Sequence, residues 1–378
     1  MPAFAYRHIK DLYPIFWAKS TEMVRTIEKD LKNRTDPADN VVRVGTWASR
    51  ATLDIIGVAG MDHDFNSLQD PDNNLVQQYH KIMTEHPKYV KVAFVLAMVI
   101  GVPNLVSKLP FKVNIQTKES SEVIRAVARD MIRQKKEKLE NKTAKNSVDI
   151  ISVALESGTF TEDDLIDQMM TFLGAGHETT STALQWAAYA LCKHPDVQTR
   201  LREEVRSNLP SISTDNPEPL SAATLDTLPY LNAFCNEVLR FHPSVPATIR
   251  IAARDTTLVG AHIPKGTLIL LAPEVVNHSH ELWGPDADQF NPDRWLGPGK
   301  ANTGGATNNY AFLTFIHGPR SCIGQGFAKA ELACLVAAMV GKFQMELKYP
   351  DAPLDVRRGA TVCPRDGVLA KFTPLEGW

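Results

Sequence analysis

From Ile9 to Asn33 the chain reads IKDLYPIFWAKSTEMVRTIEKDLKN, with apolar residues three and four apart and polar residues between them. That is the period of an α-helix with one buried face. VRVGTWASRATLDIIGVAGM begins a second helical block, and VIRAVARDMIRQKKEKLENKTAKNS reads as an amphipathic helix that runs out into a lysine-rich, solvated tether. The longest helix is predicted over TFTEDDLIDQMMTFLGAGHETTSTALQWAAYALCKHP. Thr161 with Asp164 resembles a capping box at its start, and His194-Pro195 supplies the stop. A shorter helix, PYLNAFCNEVLRF, opens on Pro229. The period then changes to two: ATIRIAARDTTLVGAHIPKGTLILLAP reads as a small sheet, and TVCPRDGVLAKF puts an Asp-Gly turn between short strands. Long helices followed by a few hairpins predict a mainly α fold with a small antiparallel β component, residues 1–378 forming one domain.

Composition leaves this picture unchanged and removes some functions. The apolar share of 44% and charged share of 22% are ordinary for a globular protein, so a sizeable core is expected. A formal charge of −2 offers no overall field for nucleic acid or an anionic membrane. Five cysteines, an odd number without a CxxC pair, argue against a disulfide framework and fit a reducing compartment. The most apolar run, VAFVLAMVIGV at 92–102, is too short to span a bilayer and reads as a buried helix, with a membrane-dipping or substrate-channel surface as the alternative.

Candidate chemistry gathers at four places. FIHGPRSCIGQG, residues 315–326, arranges Phe315, Gly318, Arg320, Cys322 and Gly324 as F-x-x-G-x-R-x-C-x-G ahead of a helical segment. Glycines allow the backbone to turn tightly beside the sulfur, and a following helix is expected to lower the thiol pKa with its positive end. The loop lacks the lysine of a phosphate-binding loop and the partner ligands of a zinc site. A buried filler role suits Cys192, Cys235, Cys334 and Cys363, but leaves Arg320 and the glycines around Cys322 unexplained.

LGAGHETTST lies inside the longest helix, where two glycines cost roughly 1 kcal/mol each relative to alanine. Thr179 can bond back to the Ala175 carbonyl and open the ladder there, leaving Glu178 beside a hydroxyl as a proton-delivering pair. The plainer explanation of Gly174 and Gly176 is close packing of a crossing helix. Glu237 and Arg240 in NEVLR share a helix face, and Arg294 in FNPDRW can complete a buried Glu–Arg–Arg network with them.

In order, these motifs resemble those of the cytochrome P-450 family of haem-thiolate monooxygenases: A-G-x-E-T, E-x-x-R, P-x-R-W, then the cysteine loop. The resemblance runs over essentially the whole chain, and WGPDADQFNPDRWL is similar to microsomal members from filamentous fungi. It implies the cytochrome P-450 fold, with haem b bound through the Cys322 thiolate and Phe315 packed beside it. It implies that Arg320 and Arg250 pair with haem propionates, and that Glu237, Arg240 and Arg294 hold the cysteine loop. Ala175, Gly176, Glu178 and Thr179 are then expected to face dioxygen, with His177 in a packing or solvent-facing position. HPSVPAT is expected to pass over the haem, so Val245 and Ala247, with Phe172 and Ala175, become candidate substrate contacts.

The implied reaction inserts one atom of dioxygen into an apolar organic substrate, in specialised (secondary) metabolism, with electrons from NADPH-cytochrome P-450 reductase. Two alternatives accompany it: a reductase-independent haem-thiolate isomerase or dehydratase, and an inactive haem-binding remnant. The opening MPAFAYRHIK resembles the stretch after the family's third major helix. The expectation is therefore a truncated product, a late-start gene model or a shortened isoform, without the family's N-terminal anchor, first strands and one substrate-recognition loop. Family members of this kind sit on the cytosolic face of the endoplasmic reticulum. For this chain the expectation is peripheral membrane contact through 92–102, or a cytosolic location.

Overall fold

Thr161 caps the longest helix as its local sequence predicts. In the computed structural model of the chain its hydroxyl accepts the Asp164 N–H, and the Asp164 carboxylate accepts the Thr161 N–H in return. The structure describes residues 4–36, 39–70, 72–83, 87, 89–90, 92–93, 109–141, 149–212 and 220–378. The principal helices are α1 (Tyr6–Lys32), α2 (Val44–Met61), α3 (Lys112–Glu140), α4 (Glu162–Lys193), α5 (Pro195–Asn208), α6 (Pro229–Phe241) and α7 (Gln325–Lys342). Pro229 and Pro195 stand at the first turns of their helices, where the missing N–H has no partner to lose.

Helix α4 is the spine. α2, α3, α6 and α7 all pack along it, and α1 lies against α7 and α2. One continuous apolar cluster joins these helices, with Phe16, Trp17, Leu53, Phe234, Phe343 and Phe372 fully shielded. Asn141 onward belongs to the lysine-rich tether, and residues 142–148 of it lie outside the described residues, as do 94–102 of the apolar run.

Among the described residues nine short strands complete the fold: β1 (Val41–Arg43), β2 (Thr248–Ile251), β3 (Thr256–Leu258), β4 (Ala261–Ile263), β5 (Leu268–Leu271), β6 (Phe343–Leu347), β7 (Val356–Arg358), β8 (Val362–Pro364) and β9 (Leu369–Pro374). They form a three-stranded sheet in the order β1-β9-β6 and three two-stranded pairs, β2-β5, β3-β4 and β7-β8, all antiparallel. The segment 247–273 is thus β as predicted. The Asp366-Gly367 turn does separate two strands, but β8 and β9 do not pair with each other. Gly367, at φ +73°, instead accepts the Gly45 N–H at 2.7 Å, and a Cβ added there would stand 3.3 Å from Gly45 Cα.

Candidate active site

Glu237 and Arg240 stand one turn apart on α6, both fully buried. Arg240 uses all of its donors. Nε and Nη2 bond Glu237 at 2.9 and 2.8 Å, and the remaining N–H groups reach the carbonyls of Asn277, Ala287 and Gln289 at 2.7, 2.8 and 3.0 Å. Glu237 also accepts Arg294 Nε at 3.2 Å, Trp295 Nε1 at 2.9 Å and the Asn291 N–H at 2.8 Å. A buried carboxylate is tolerable only with such saturation.

The cluster reaches the cysteine loop through Asn277, which the sequence reading missed. Its Nδ2 bonds Arg240 O at 3.0 Å and Thr314 Oγ1 at 2.8 Å, and its Oδ1 accepts the Leu313 N–H at 2.9 Å. Beyond Thr314 the loop closes on itself, with the Cys322 N–H donating to Phe315 O at 2.8 Å. Gly318 takes φ +79°, and Ile316 takes φ +58° despite its β-branch; strain of that kind is held where the surroundings fix the backbone. Lys329 on α7 lies 6.0 Å above the Phe315 ring, and burial lowers its ammonium to about 8.

The loop opens onto a cleft of about 250 Å³, shared by Cys322, Phe315 and Arg320 with Arg250 from β2, Val245, and Thr179 of α4. Cys322 is exposed there. The residue is open to the cleft, but the protein around the sulfur displaces enough water to push the thiol up, opposed by the Gly324 N–H.

Arg250 and Arg320 form no ion pair among the described residues; Arg250 reaches only Thr248 Oγ1 at 3.3 Å and Ile249 O at 2.9 Å. One soft sulfur, two guanidiniums without carboxylates, an aromatic wall and a hydroxyl make a donor set suited to an iron porphyrin with two acidic side chains. The residues present fit that group.

Other predicted positions fall elsewhere. Thr179 Oγ1 bonds Ala175 O at 2.8 Å as expected, yet α4 stays α-helical through the motif, so the ladder does not open. Glu178 does not line the cleft. It turns toward β7 and its loop, where Oε1 accepts Arg357 Nη2 at 3.1 Å and Thr361 Oγ1 at 3.0 Å. Successive helix residues diverge by about 100°, and the ion pair decides which way Glu178 points. Gly176 faces α2: an added Cβ would meet Ile56 Cγ1 at 2.9 Å, so close helix packing explains this glycine.

His177 is buried, with Nε2 2.8 Å from Ser49 Oγ, as its packing expectation had it. Phe172 packs on Phe4, ring centroids 5.7 Å apart, and not on the cleft. Ala175 is exposed but does not line the cleft either. Ala247 is absent from the lining as well; Thr248 and Arg250, of opposite parity along the extended chain, face inward instead. Of the four candidate substrate contacts, Val245 alone is on the cleft wall.

A family model described as Cytochrome P450 matches residues 1–372. The cytochrome P450 monooxygenase sphH of Aspergillus fumigatus is 64% identical over 377 residues, covering 100% of this chain and 69% of that protein. A cytochrome P450 monooxygenase of Gibberella zeae is 42% identical over 396 residues, covering 100% and 70%. The cytochrome P450 monooxygenase buaD of Petromyces alliaceus is 38% identical over 388 residues, covering 100% and 71%.

Proposed function

This chain belongs to the cytochrome P450 family of haem-thiolate monooxygenases, and on that premise we propose that Cys322 is its iron ligand and that its substrate is an apolar organic molecule. The carrying observation is the meeting of Cys322, Arg250, Arg320 and Thr179 on one cleft. Bound there, haem supplies the iron chemistry that activates dioxygen with electrons from a redox partner. Arg250 and Arg320 would hold its propionates by charge-assisted bonds. Phe315 would cover one side of the sulfur, and Glu237, Arg240 and Arg294, acting through Asn277, would keep the loop in register. We treat residues 1–378 as one domain, since the apolar cluster runs from α1 to the last strand.

On the opposite wall Thr179 would hold a proton at its hydroxyl for transfer into the cleft. Glu178 would serve as the acid behind it from its place against Arg357, reaching Thr179 only when that pair loosens. Ala183, Leu239, Val245 and Pro273 supply an apolar surround, in which an unpaired charge on the substrate would be costly. That favours oxidation at a hydrophobic carbon, and the fungal relatives make specialised metabolism the natural setting. The reductase we propose is NADPH-cytochrome P450 reductase. Among the described residues no helix is long and apolar enough to cross a membrane; we place the protein peripherally, on the cytosolic face of the endoplasmic reticulum.

The retained hydroxyl at Thr179 favours a monooxygenase over an isomerase or dehydratase, which needs no proton at dioxygen. Product formation is expected to require NADPH and reductase. Equal product from an organic hydroperoxide alone would reverse that ranking.

A further inference from the structure

Glu331 on α7 is fully buried, and among the described residues neither of its carboxyl oxygens closes a hydrogen bond. Ala328, one turn earlier on the same face, lines the cleft, as does the adjacent Leu332. Across the α7–α4 interface the polar group facing Glu331 is the Thr180 hydroxyl, itself buried and on the cleft wall. Its geometry stops short of an ordinary hydrogen bond.

An ionised carboxylate left unpaired in a dry site costs several kcal/mol. Burial accordingly raises the Glu331 carboxyl well above its usual range, opposed only by Thr180. Cys334, one turn further along α7, has its thiol pushed up by the same burial, so it supplies no positive charge to favour ionisation of Glu331. A neutral carboxylic acid retains one O–H to donate, and Thr180 offers the oxygen to receive it. The neighbouring turn is already tied on its other side, where Ser244 Oγ donates to Thr179 O at 2.8 Å.

We propose that Glu331 is a positioning residue: its carboxyl O–H donates to the Thr180 hydroxyl and fixes the turn of α4 bearing Thr179 and Thr180 against the helix that follows the Cys322 loop. The bond is argued from the burial and the unmet oxygens of Glu331; that the fixed turn serves oxygen chemistry rests on the function proposed above.

Infrared difference spectroscopy of the full haem-loaded protein tests it. At neutral pH the wild type should show the carbonyl stretch of a protonated carboxylic acid, which Glu331→Gln removes. Thr180→Val should move that band to higher frequency, because the acid loses its acceptor. Glu331→Leu should lower the ratio of product to peroxide about fivefold, the weight of one hydrogen bond. Glu331→Gln, whose amide still donates, should restore most of that ratio. Absence of a band that Glu331→Gln removes, or a band unmoved by Thr180→Val, would overturn the proposal. Should Glu331→Leu fail to fold, the band and its shift still decide. A wild type lacking the thiolate-type carbon monoxide spectrum, with band and shift intact, would count against the proposed function and not against this bond.

Discussion

The protein holds two sets of arginines a short way apart, and they are treated in opposite fashion. Around Glu237, every donor of Arg240 ends on an acceptor and no water reaches either group. On the cleft, Arg250 and Arg320 carry the same charge with no carboxylate partner among the described residues. A guanidinium that the chain itself saturates belongs to the scaffold, whereas one left open toward a cleft beside a sulfur suits the ligand-holding role proposed for it. Sequence proximity to a motif does not separate these cases, and the hydrogen-bond inventory does.

The sharpest way to break the contrast is Glu237→Ala. It leaves Arg240 and Arg294 buried without their counter-charge, so stability should fall by about 3–5 kcal/mol, measured by denaturant unfolding of the haem-free protein. A loss below 1 kcal/mol would mean that the cluster is not scaffold.

Acid should attack the same sealed region next. His242, stacked on Trp186 with ring centroids 4.0 Å apart, has its pKa lowered from 6.5 to about 3, first by burial and then by His278 and Arg240. The unfolded chain binds this proton more readily, so the contribution to stability is complete above pH 6.5 and is lost as pH falls toward 3. His242→Phe should flatten the slope of stability against pH in that window. An unchanged slope would place the acid sensitivity elsewhere.

The open pair should behave otherwise. Arg250→Ala and Arg320→Ala should each leave the unfolding free energy of the haem-free protein within about 0.5 kcal/mol, yet weaken haem retention roughly tenfold, near the weight of one charge-assisted bond. Haem transfer to an acceptor apoprotein measures this. Stability loss comparable to that of Glu237→Ala would erase the distinction between the two sets.

Much of the scaffold is readable from local pattern. The Thr161–Asp164 box, Pro229 at its helix start and the β pattern from Ala247 onward are short-range signals, and the chain obeys them. What escapes are contacts between distant segments. Glu178 meets Arg357 across 179 positions, so its departure from the cleft has no local signature. Asn277, the link between the charge cluster and the loop, ends a short PEVVN helix whose sequence carries no motif. Gly176 fits either a ligand or a helix crossing by sequence alone, and the Ile56 side chain against it accounts for the crossing. Period and capping act over a few residues, whereas site geometry depends on which side chains the folded chain brings together.

The smallest effect on folding should come from Thr179→Ala. The hydroxyl bonds only its own helix, at Ala175 O, so unfolding should move by less than about 0.5 kcal/mol. Electron use should suffer instead, with more peroxide released per NADPH consumed. A product-to-peroxide ratio equal to that of the wild type would remove Thr179 from proton handling.

The most direct measurement is the absorbance of the ferrous carbon monoxide complex in wild type and Cys322→Ala. Cys322 lies on the open cleft and not among the core residues, so its replacement should leave the fold in place, which circular dichroism checks on the same samples. The wild type should show the red-shifted band of a thiolate-ligated haem, and Cys322→Ala should lose it entirely. Survival of that band in the variant would contradict the assignment of Cys322 as the iron ligand.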